Sequence, residues 1–213
     1  QEYHIARQSH DEELVLQGTK TLAIVEDLSG NIETARTLYR AALTSYRKMG
    51  DPIGTMEILS NFGEMTFEQG QTQEAREMFE EALALAQANG DEGFPYICLA
   101  NLGACAFELG DPKTAQNYYQ EALELVRQKG NQSNEVLYLA ELARVELALS
   151  QIAPAITLLK QATALAAKTK TLSGLMSCYF GWAEYFLACH KQEAGLELLQ
   201  LLVEHPAANA LHK

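Results

Sequence analysis

Residues 99–123 read LANLGACAFELGDPKTAQNYYQEAL, and residues 59–83 read LSNFGEMTFEQGQTQEAREMFEEAL. The two stretches align position for position without a gap, one period of about 40 residues apart. Self-similarity at a fixed period of 20 to 50 residues is typical of proteins in which one supersecondary unit stacks on copies of itself. The sequence therefore predicts a repeat array, and this prediction constrains the fold before any local structure is considered.

The same period extends over most of the chain. Gly30, Gly70 and Gly110 are separated by one period each, and the next steps fall on Ser150 and His190. After each of these positions, small and bulky apolar residues recur at i, i+4 and i+7, which is one stripe of an α-helix. A second apolar stripe precedes each of them, so each repeat holds two helices. The bulky columns of the two stripes are Tyr39, Phe79, Tyr119, Leu159 and Leu199, and Leu22, Phe62, Leu102, Leu142 and Trp182.

Turn signals agree with this period. Gly50-Asp51-Pro52 and its counterparts in later repeats combine a residue that ends helices with one that caps the next helix. The pattern predicts ten antiparallel helices, very short loops and no strand. The predicted helices span roughly 11–29, 31–49, 52–69, 71–89, 92–109, 112–129, 132–149, 152–169, 172–189 and 191–204.

The predicted fold is all-α, a right-handed α-solenoid of five helix-turn-helix repeats. Because a single helix pair cannot bury its apolar stripe alone, stacked neighbours make one continuous core. The sequence shows no linker of biased composition, so we expect a single array over residues 1–213. Residues 1–10 are expected to be the tail of a preceding repeat, followed by repeats at about 11–50, 51–90, 91–130, 131–170 and 171–206.

These columns resemble the tetratricopeptide repeat (TPR). The order Leu59, Phe62, Gly63, Ala75, Phe79 and Ala82 has the small-large-small spacing of that family, and it recurs one period later. Repeats of this length resemble those of bacterial signal-transduction ATPases, large transcription activators and kinesin light chains. The resemblance implies a non-catalytic scaffold, part of a larger regulatory or signalling protein, that binds a protein or peptide in its concave groove.

Composition restricts the partners. The 28 acidic residues outnumber the 16 basic ones, which gives a formal charge of −12. Nucleic-acid binding depends on basic residues that neutralise phosphates, so direct binding of DNA or RNA is not expected. The same charge disfavours anionic membranes and favours basic or neutral partners. The sequence has neither a long apolar span nor a signal peptide, and a cytoplasmic location is predicted.

The sequence contains no recognisable catalytic or cofactor motif. It lacks Gly-x-x-x-x-Gly-Lys, His-Glu-x-x-His and Gly-x-Ser-x-Gly. Cys98, Cys105, Cys178 and Cys189 fall at helical spacings and not in pairs typical of zinc sites, which favours buried free thiols. We therefore expect no enzyme activity, no catalytic residue, no cofactor and no bound metal.

The resemblance places the binding surface on the first helix of each pair. Asn61 and Asn101 are the leading candidates, because an amide can both donate to and accept from a peptide backbone. The alternative is that these amides form hydrogen bonds within their own helix pair. The other residues predicted to line the groove are Glu57, Glu64, Phe67, Glu68, Ile97, Glu108, Glu141, Arg144, Phe180 and Glu184.

Two further interpretations compete with peptide binding. Leucines occupy more than one face of the last helix, which favours a homodimer through the C-terminal repeat, with Leu198, Leu199 and Leu202 in contact. In that case the chain is a structural self-association module and the groove is incidental. The third interpretation is a small-molecule pocket formed by Tyr179, Phe180, Trp182 and Tyr185.

Overall fold

The computed structural model describes the backbone of residues 2–204 and the side chains of residues 13–200. All regular elements in residues 2–204 are α-helices, which matches the predicted all-α class. They are α1 (Glu2–Leu28), α2 (Ile32–Met49), α3 (Pro52–Glu68), α4 (Thr72–Ala88), α5 (Pro95–Glu108), α6 (Pro112–Gln128), α7 (Gln132–Ala148), α8 (Ile152–Thr169), α9 (Leu172–Ala188) and α10 (Gln192–Glu204). Odd-numbered helices are called first helices here, and even-numbered ones second helices.

The helices form two compact units. The first unit, residues 1–92, contains α1 to α4, and the second, residues 93–213, contains α5 to α10. In each unit every helix packs against the next one in sequence. The small-large-small columns of the second helices are buried, including Ala35, Tyr39 and Ala42 in the first unit. The predicted helical stripes therefore form the cores of both units.

Glycines in the first helices allow close contact within a pair. A Cβ atom added to Gly63 would lie 2.6 Å from Phe79 Cε1, and one added to Gly103 would lie 2.9 Å from Tyr119 Cε2. Since real Cβ atoms do not approach this closely, only glycine lets these aromatic rings pack on the helix backbone. This is the packing expected from the small residues in the repeat.

The turns keep their geometry where the glycines are lost. Gly70 and Gly110 have left-handed φ angles of 74° and 79°, and Ser150 and His190 in the same column have 62° and 59°. The backbone of the turn is therefore repeated even where its usual residue is not. Lys170, which follows α8, also adopts a positive φ, of 55°.

Two predicted helix starts were wrong. Residues 2–28 form one helix, so the expected end of a preceding repeat near His10 is absent; without glycine or proline there, nothing forces the chain out of the helix. The helix predicted from residue 92 instead begins at Pro95, after Gly93 and Phe94. Proline favours the first helical position, where its missing N–H is not needed.

Candidate functional site

Three first helices of the second unit bring charged and aromatic side chains together around Arg144. Arg144 Nη1 donates to Glu141 Oε2 at 2.7 Å, and Arg144 Nε donates to Glu184 Oε2 at 2.8 Å. The guanidinium carbon lies 4.8 Å from the ring centroid of Phe180 and 5.7 Å from that of Phe107. We call these five residues, from α5, α7 and α9, the Arg144 cluster.

The chain folds this way locally because the cluster follows the helical repeat. Glu141 and Arg144 are three residues apart on α7, so they share one face of that helix. Glu184 lies one period after Arg144 and therefore occupies the same repeat position on α9, which packs against α7. Phe107 projects from α5 towards the same guanidinium. Four of the five residues, all except Phe107, were predicted for the groove.

Burial and charge set the protonation of the cluster. Burial lowers the pKa of Arg144, but the Glu141 and Glu184 carboxylates raise it by more, so the guanidinium stays charged. Burial raises the pKa of Glu141 above its usual range, and the neighbouring Arg144 offsets only part of that effect. Burial, followed by the charge of Glu141, raises the pKa of the nearby Tyr119 phenol. When all three charged groups are ionised, two carboxylates surround one cation.

This arrangement determines what the surface offers to a ligand. Arg144 already has two carboxylate partners and two aromatic rings, so it is poorly placed to bind an anion. Phe180 remains 39% exposed, and the side chains of Glu141 and Glu184 remain 32% and 31% exposed. An aromatic face beside partly exposed carboxylates suits an apolar or basic side chain.

The other residues of the second unit that were predicted to line the groove lie on α5. Ile97 is half-buried and Glu108 is exposed. Asn101 is half-buried and already interacts with another group of the chain. Phe107 was not predicted as a site residue, although Phe67, one period earlier, was. Carrying Phe67 forward by one period would have identified it.

The first unit has a comparable surface on α1 and α3. Lys20 Nζ on α1 donates to Glu57 Oε2 on α3 at 2.6 Å, so Glu57 joins the two first helices. Asn61 and Phe67 are half-buried. No hydrogen bond joins the side-chain amide of Asn61 to other groups of residues 13–200, which leaves that amide available to a ligand.

Acidic side chains of α1 and α3 influence the Tyr39 hydroxyl: burial, the charge and hydrogen bond of Asp27, and the charges of Glu64 and Glu68 raise its pKa. That hydroxyl lies 3.4 Å from Asp27 Oδ2, to which it donates. Burial raises the pKa of Asp27, and burial followed by the charge of Asp27 raises the pKa of Glu68. Glu64 is exposed and has a partner within the chain. The sequence analysis identified Glu64 and Glu68 but missed Asp27.

Residues of the two competing interpretations lie on α9 and α10. Leu198 and Leu199 are half-buried, and the side chain of Leu202 lies outside the described residues. Their neighbour Leu196 is 59% exposed. Trp182 and Tyr185 pack edge to face with centroids 5.6 Å apart, whereas Phe180 lies against Arg144 and Tyr179 is 46% exposed. These four aromatic residues therefore do not line one common pocket.

Sequence comparison identifies the family of the array. The family model of the MalT-like TPR region matches residues 7–211, which is nearly the whole chain. The chain belongs to the MalT-like TPR region family. The tetratricopeptide resemblance is thus confirmed for this MalT-like TPR region.

Solved structures of several helical-repeat proteins share this fold. BtubC (BKLC) from P. vanneervenii is 19% identical, with a TM-score of 0.73 over 98% of this chain and 87% of that one. A putative kinesin light chain from Podosopora anserina is 19% identical, with a TM-score of 0.70 over 88% of this chain and 92% of that one. A Rap protein complexed with Competence and Sporulation Factor is 15% identical, with a TM-score of 0.71 over 95% and 66%. The MalT-like TPR region is therefore a tetratricopeptide-type helical-repeat solenoid, as predicted.

The sequence of this MalT-like TPR region matches no curated protein. Within the described residues, no helix combines the length and hydropathy needed to cross a membrane. The described residues also contain no group of three or more histidine, cysteine, aspartate or glutamate side chains placed to hold a metal ion.

Proposed function

We propose that this chain is a non-catalytic scaffold whose two units each bind an extended protein segment on their first-helix surfaces. The observation that carries the proposal is the Arg144 cluster, in which side chains from α5, α7 and α9 meet on one surface. A surface fixed by ion pairs between helices is ordered before binding, so a ligand loses less free energy in ordering it. The Rap protein crystallised with Competence and Sporulation Factor is a precedent for ligand binding by this fold.

The two units offer different contacts to such a segment in this proposal. In residues 1–92, amides such as Asn61 form hydrogen bonds with the peptide backbone, which provides affinity for many sequences. In residues 93–213, the Phe180 ring and the carboxylates of Glu141 and Glu184 contact side chains of the ligand, and they favour apolar and basic residues. The formal charge of −12 supports the same preference, because it attracts basic segments and repels acidic ones.

A displayed library of random ten-residue peptides tests this function directly. Selected peptides are then measured by fluorescence anisotropy against Arg144→Ala, Arg144→Lys and Asn61→Ala. We expect Arg144→Ala to weaken the binding of peptides to residues 93–213 about tenfold or more, because it removes the ion pairs that order that surface. Asn61→Ala should weaken the binding of peptides to residues 1–92 by a similar factor, because a backbone hydrogen bond is lost. Arg144→Lys retains the positive charge but lacks the planar guanidinium that donates to both Glu141 and Glu184. Its affinity should therefore lie between those of wild type and Arg144→Ala.

The matched control is Gln161→Ala on α8, an exposed second-helix residue outside both surfaces. It should bind selected peptides as wild type does. Circular dichroism establishes that each variant remains helical, so a loss of binding is not a loss of fold. Equal affinity of all variants, or selection of acidic peptides alone, would contradict the proposal.

The proposal includes a cellular setting. The chain acts in the cytoplasm as the partner-docking part of a larger regulatory or signalling protein, and the family description as a region supports this assignment. An antibody against the chain should detect it in the cytoplasmic fraction, within a protein longer than 213 residues. Recovery of the antigen in the membrane fraction would contradict this part of the proposal.

A second candidate function is self-association through α10. The supporting observation is Leu196, which is 59% exposed next to the half-buried Leu198 and Leu199. In this candidate two copies place the same face of α10 against each other, as in a two-fold dimer. Leu199→Glu would then reduce the mass measured by light scattering coupled to size exclusion from that of a dimer to that of a monomer. An unchanged mass would contradict self-association through α10.

A further inference from the structure

The first helices α5, α7 and α9 are acidic. Arg144 is their only basic residue, whereas several glutamates lie on them. Glu135 is paired with Arg127 of α6 at 2.7 Å, and Glu146 is buried. The remaining carboxylates, which are open to solvent at least in part, are Glu108, Glu141 and Glu184. The first-helix surface of this unit therefore has an excess of negative charge.

The two carboxylates of the Arg144 cluster have hydrogen-bonding capacity left. Glu141 and Glu184 each accept from Arg144 through Oε2, and neither Oε1 has a donor within residues 13–200. Both side chains are about one third exposed, at 32% and 31%, so a ligand can reach them. Since two carboxylates share one guanidinium, a second cation would balance the charge of the cluster.

Arg144 shows which kind of cation this surface accommodates. Its guanidinium lies over the Phe180 ring, 4.8 Å from the centroid, while it donates to the two carboxylates. Phe180 still remains 39% exposed, and Glu184 lies four residues further along α9, on the same side of that helix. A second guanidinium can repeat the arrangement, because a planar cation both stacks on a ring and donates to a carboxylate.

An apolar side chain suits this position less well. It would cover the carboxylates without donating to them, so each would lose water without a replacement. Burial already raises the pKa of Glu141, which indicates that its carboxylate has lost part of its hydration in the free chain. A ligand with N–H donors replaces the lost water, whereas an apolar ligand adds to the loss.

We propose that the ligand residue bound at the Arg144 cluster is an arginine, whose guanidinium stacks on Phe180 and donates to Glu184. The partner of this unit is then a basic peptide segment, and the cluster favours arginine over lysine and over apolar residues. Lysine has the charge but no plane to stack on the ring. This inference rests on the proposed function, because it names the ligand residue at one of the two peptide-binding surfaces.

Peptides selected from the random library provide the test on the ligand side. The test uses those peptides whose affinity for the whole chain is weakened by Arg144→Ala, since they bind residues 93–213. Each should contain an arginine whose replacement by citrulline, which has nearly the same shape but no charge, weakens binding about tenfold or more in fluorescence anisotropy. Replacement of that arginine by leucine should cost as much, and replacement by lysine about threefold.

Variants of the chain locate the bound arginine. In Glu184→Gln and in Phe180→Leu, the loss caused by citrulline should shrink to about threefold or less, because one of the groups that the arginine contacts is gone. Both side chains are partly exposed, so both variants should fold, which circular dichroism verifies. The matched control is Glu124→Gln on α6, an exposed carboxylate outside the cluster, which should show the full loss.

The outcomes separate this inference from the proposed function. If no selected peptide depends on Arg144, peptide binding at this unit and the arginine assignment fail together. If peptides depend on Arg144 but lack arginine, or bind equally well with citrulline or lysine in its place, only the arginine assignment fails. An equal citrulline loss in wild type and in Glu184→Gln would mean that the arginine binds elsewhere, and it also overturns the assignment.

Discussion

Glycine residues inside the first helices differ in how much space they have. A Cβ atom on Gly63 would contact the Phe79 ring at 2.6 Å, whereas one on Gly18 would contact nothing within 4 Å. Both glycines are in helix interiors, where alanine is intrinsically favoured by about 1 kcal/mol. The same substitution should therefore change the free energy of unfolding in opposite directions at the two positions.

We expect Gly63→Ala to destabilise the chain by about 1–3 kcal/mol, because the added methyl group displaces a packed ring. Gly18→Ala should stabilise it by up to about 1 kcal/mol. Urea unfolding followed by circular dichroism at 222 nm measures both. A stabilised Gly63→Ala variant would mean that the aromatic ring is free to move away.

Two buried threonines of α3 form a second matched pair. Thr55 Oγ1 donates to the backbone oxygen of Asp51 at 2.6 Å, whereas Thr66 Oγ1 is buried and has no hydrogen-bond partner in the described chain. A buried hydroxyl without a partner has lost its hydration without compensation. Valine has the same shape as threonine without the hydroxyl, so it isolates this effect.

Thr66→Val should raise the free energy of unfolding by about 1 kcal/mol, and Thr55→Val should lower it by about 1 kcal/mol. Differential scanning calorimetry resolves both changes as shifts of Tm in opposite directions. Equal shifts of the two variants would indicate that an ordered water satisfies Thr66.

At the scale of helices, periodicity was sufficient to predict most of the fold. Every turn in the glycine column was located, because turn geometry and the apolar stripes repeat together. The start of α5 was missed because Gly93 and Pro95 act locally, without respect to the period. The continuation of α1 through His10 was missed because repeat alignment imposed a turn where no residue requires one.

The site was predictable only in part. Repeat position placed Glu141, Arg144 and Glu184 on one face, since that depends on helix geometry alone. The pairing of Arg144 with two carboxylates and two rings depends on side-chain rotamers and on the distance between helices, which the sequence does not specify. For the same reason, the ion pair of Glu57 with Lys20 across α1 and α3 was not predicted.

The contact between α1 and α3 makes stability depend on pH. Partial burial raises the pKa of the largely exposed Glu68 in the folded chain, and the charge of Asp27 raises it further. The folded state therefore holds its proton to higher pH than the unfolded state does, and stability falls as the pH rises from the unfolded pKa through the folded one. Neutralising Glu68 should remove this loss.

Accordingly, Glu68→Gln should have a higher Tm than wild type at pH 7 and nearly the same Tm at pH 3, where both carboxyls are protonated. The gain should be on the order of 1 °C, because Glu68 is exposed and solvent screens its charge. Glu121→Gln, an exposed residue of α6, serves as the control. A gain of equal size at both pH values would exclude the electrostatic explanation.

The whole chain carries excess negative charge that its ion pairs do not balance. Its 28 acidic and 16 basic residues leave a formal charge of −12. Exposed ion pairs such as Arg47 with Glu81 contribute little to stability, whereas repulsion among the excess carboxylates opposes the compact state. Salt screens both the attraction within ion pairs and the repulsion among carboxylates. The larger of the two effects determines whether Tm rises or falls when salt is added.

We therefore expect Tm to rise by a few degrees between 20 mM and 500 mM NaCl at pH 7, as the Debye length becomes shorter. Near pH 4.8, the isoelectric point of the sequence, the same salt increase should have little effect. Differential scanning fluorimetry provides both measurements. A Tm that falls with salt at pH 7 would show that the ion pairs outweigh the repulsion.

The left-handed turns have a practical consequence for thermostabilisation. Ser150, Lys170 and His190 hold positive φ angles with side chains that disfavour them, at a cost of about 1 kcal/mol each. Glycine removes that cost, although it also increases the entropy of the unfolded chain. All three positions lie in residues 93–213. Substitution by glycine can therefore stabilise turns of that unit, whereas the left-handed turns of residues 1–92 already contain glycine.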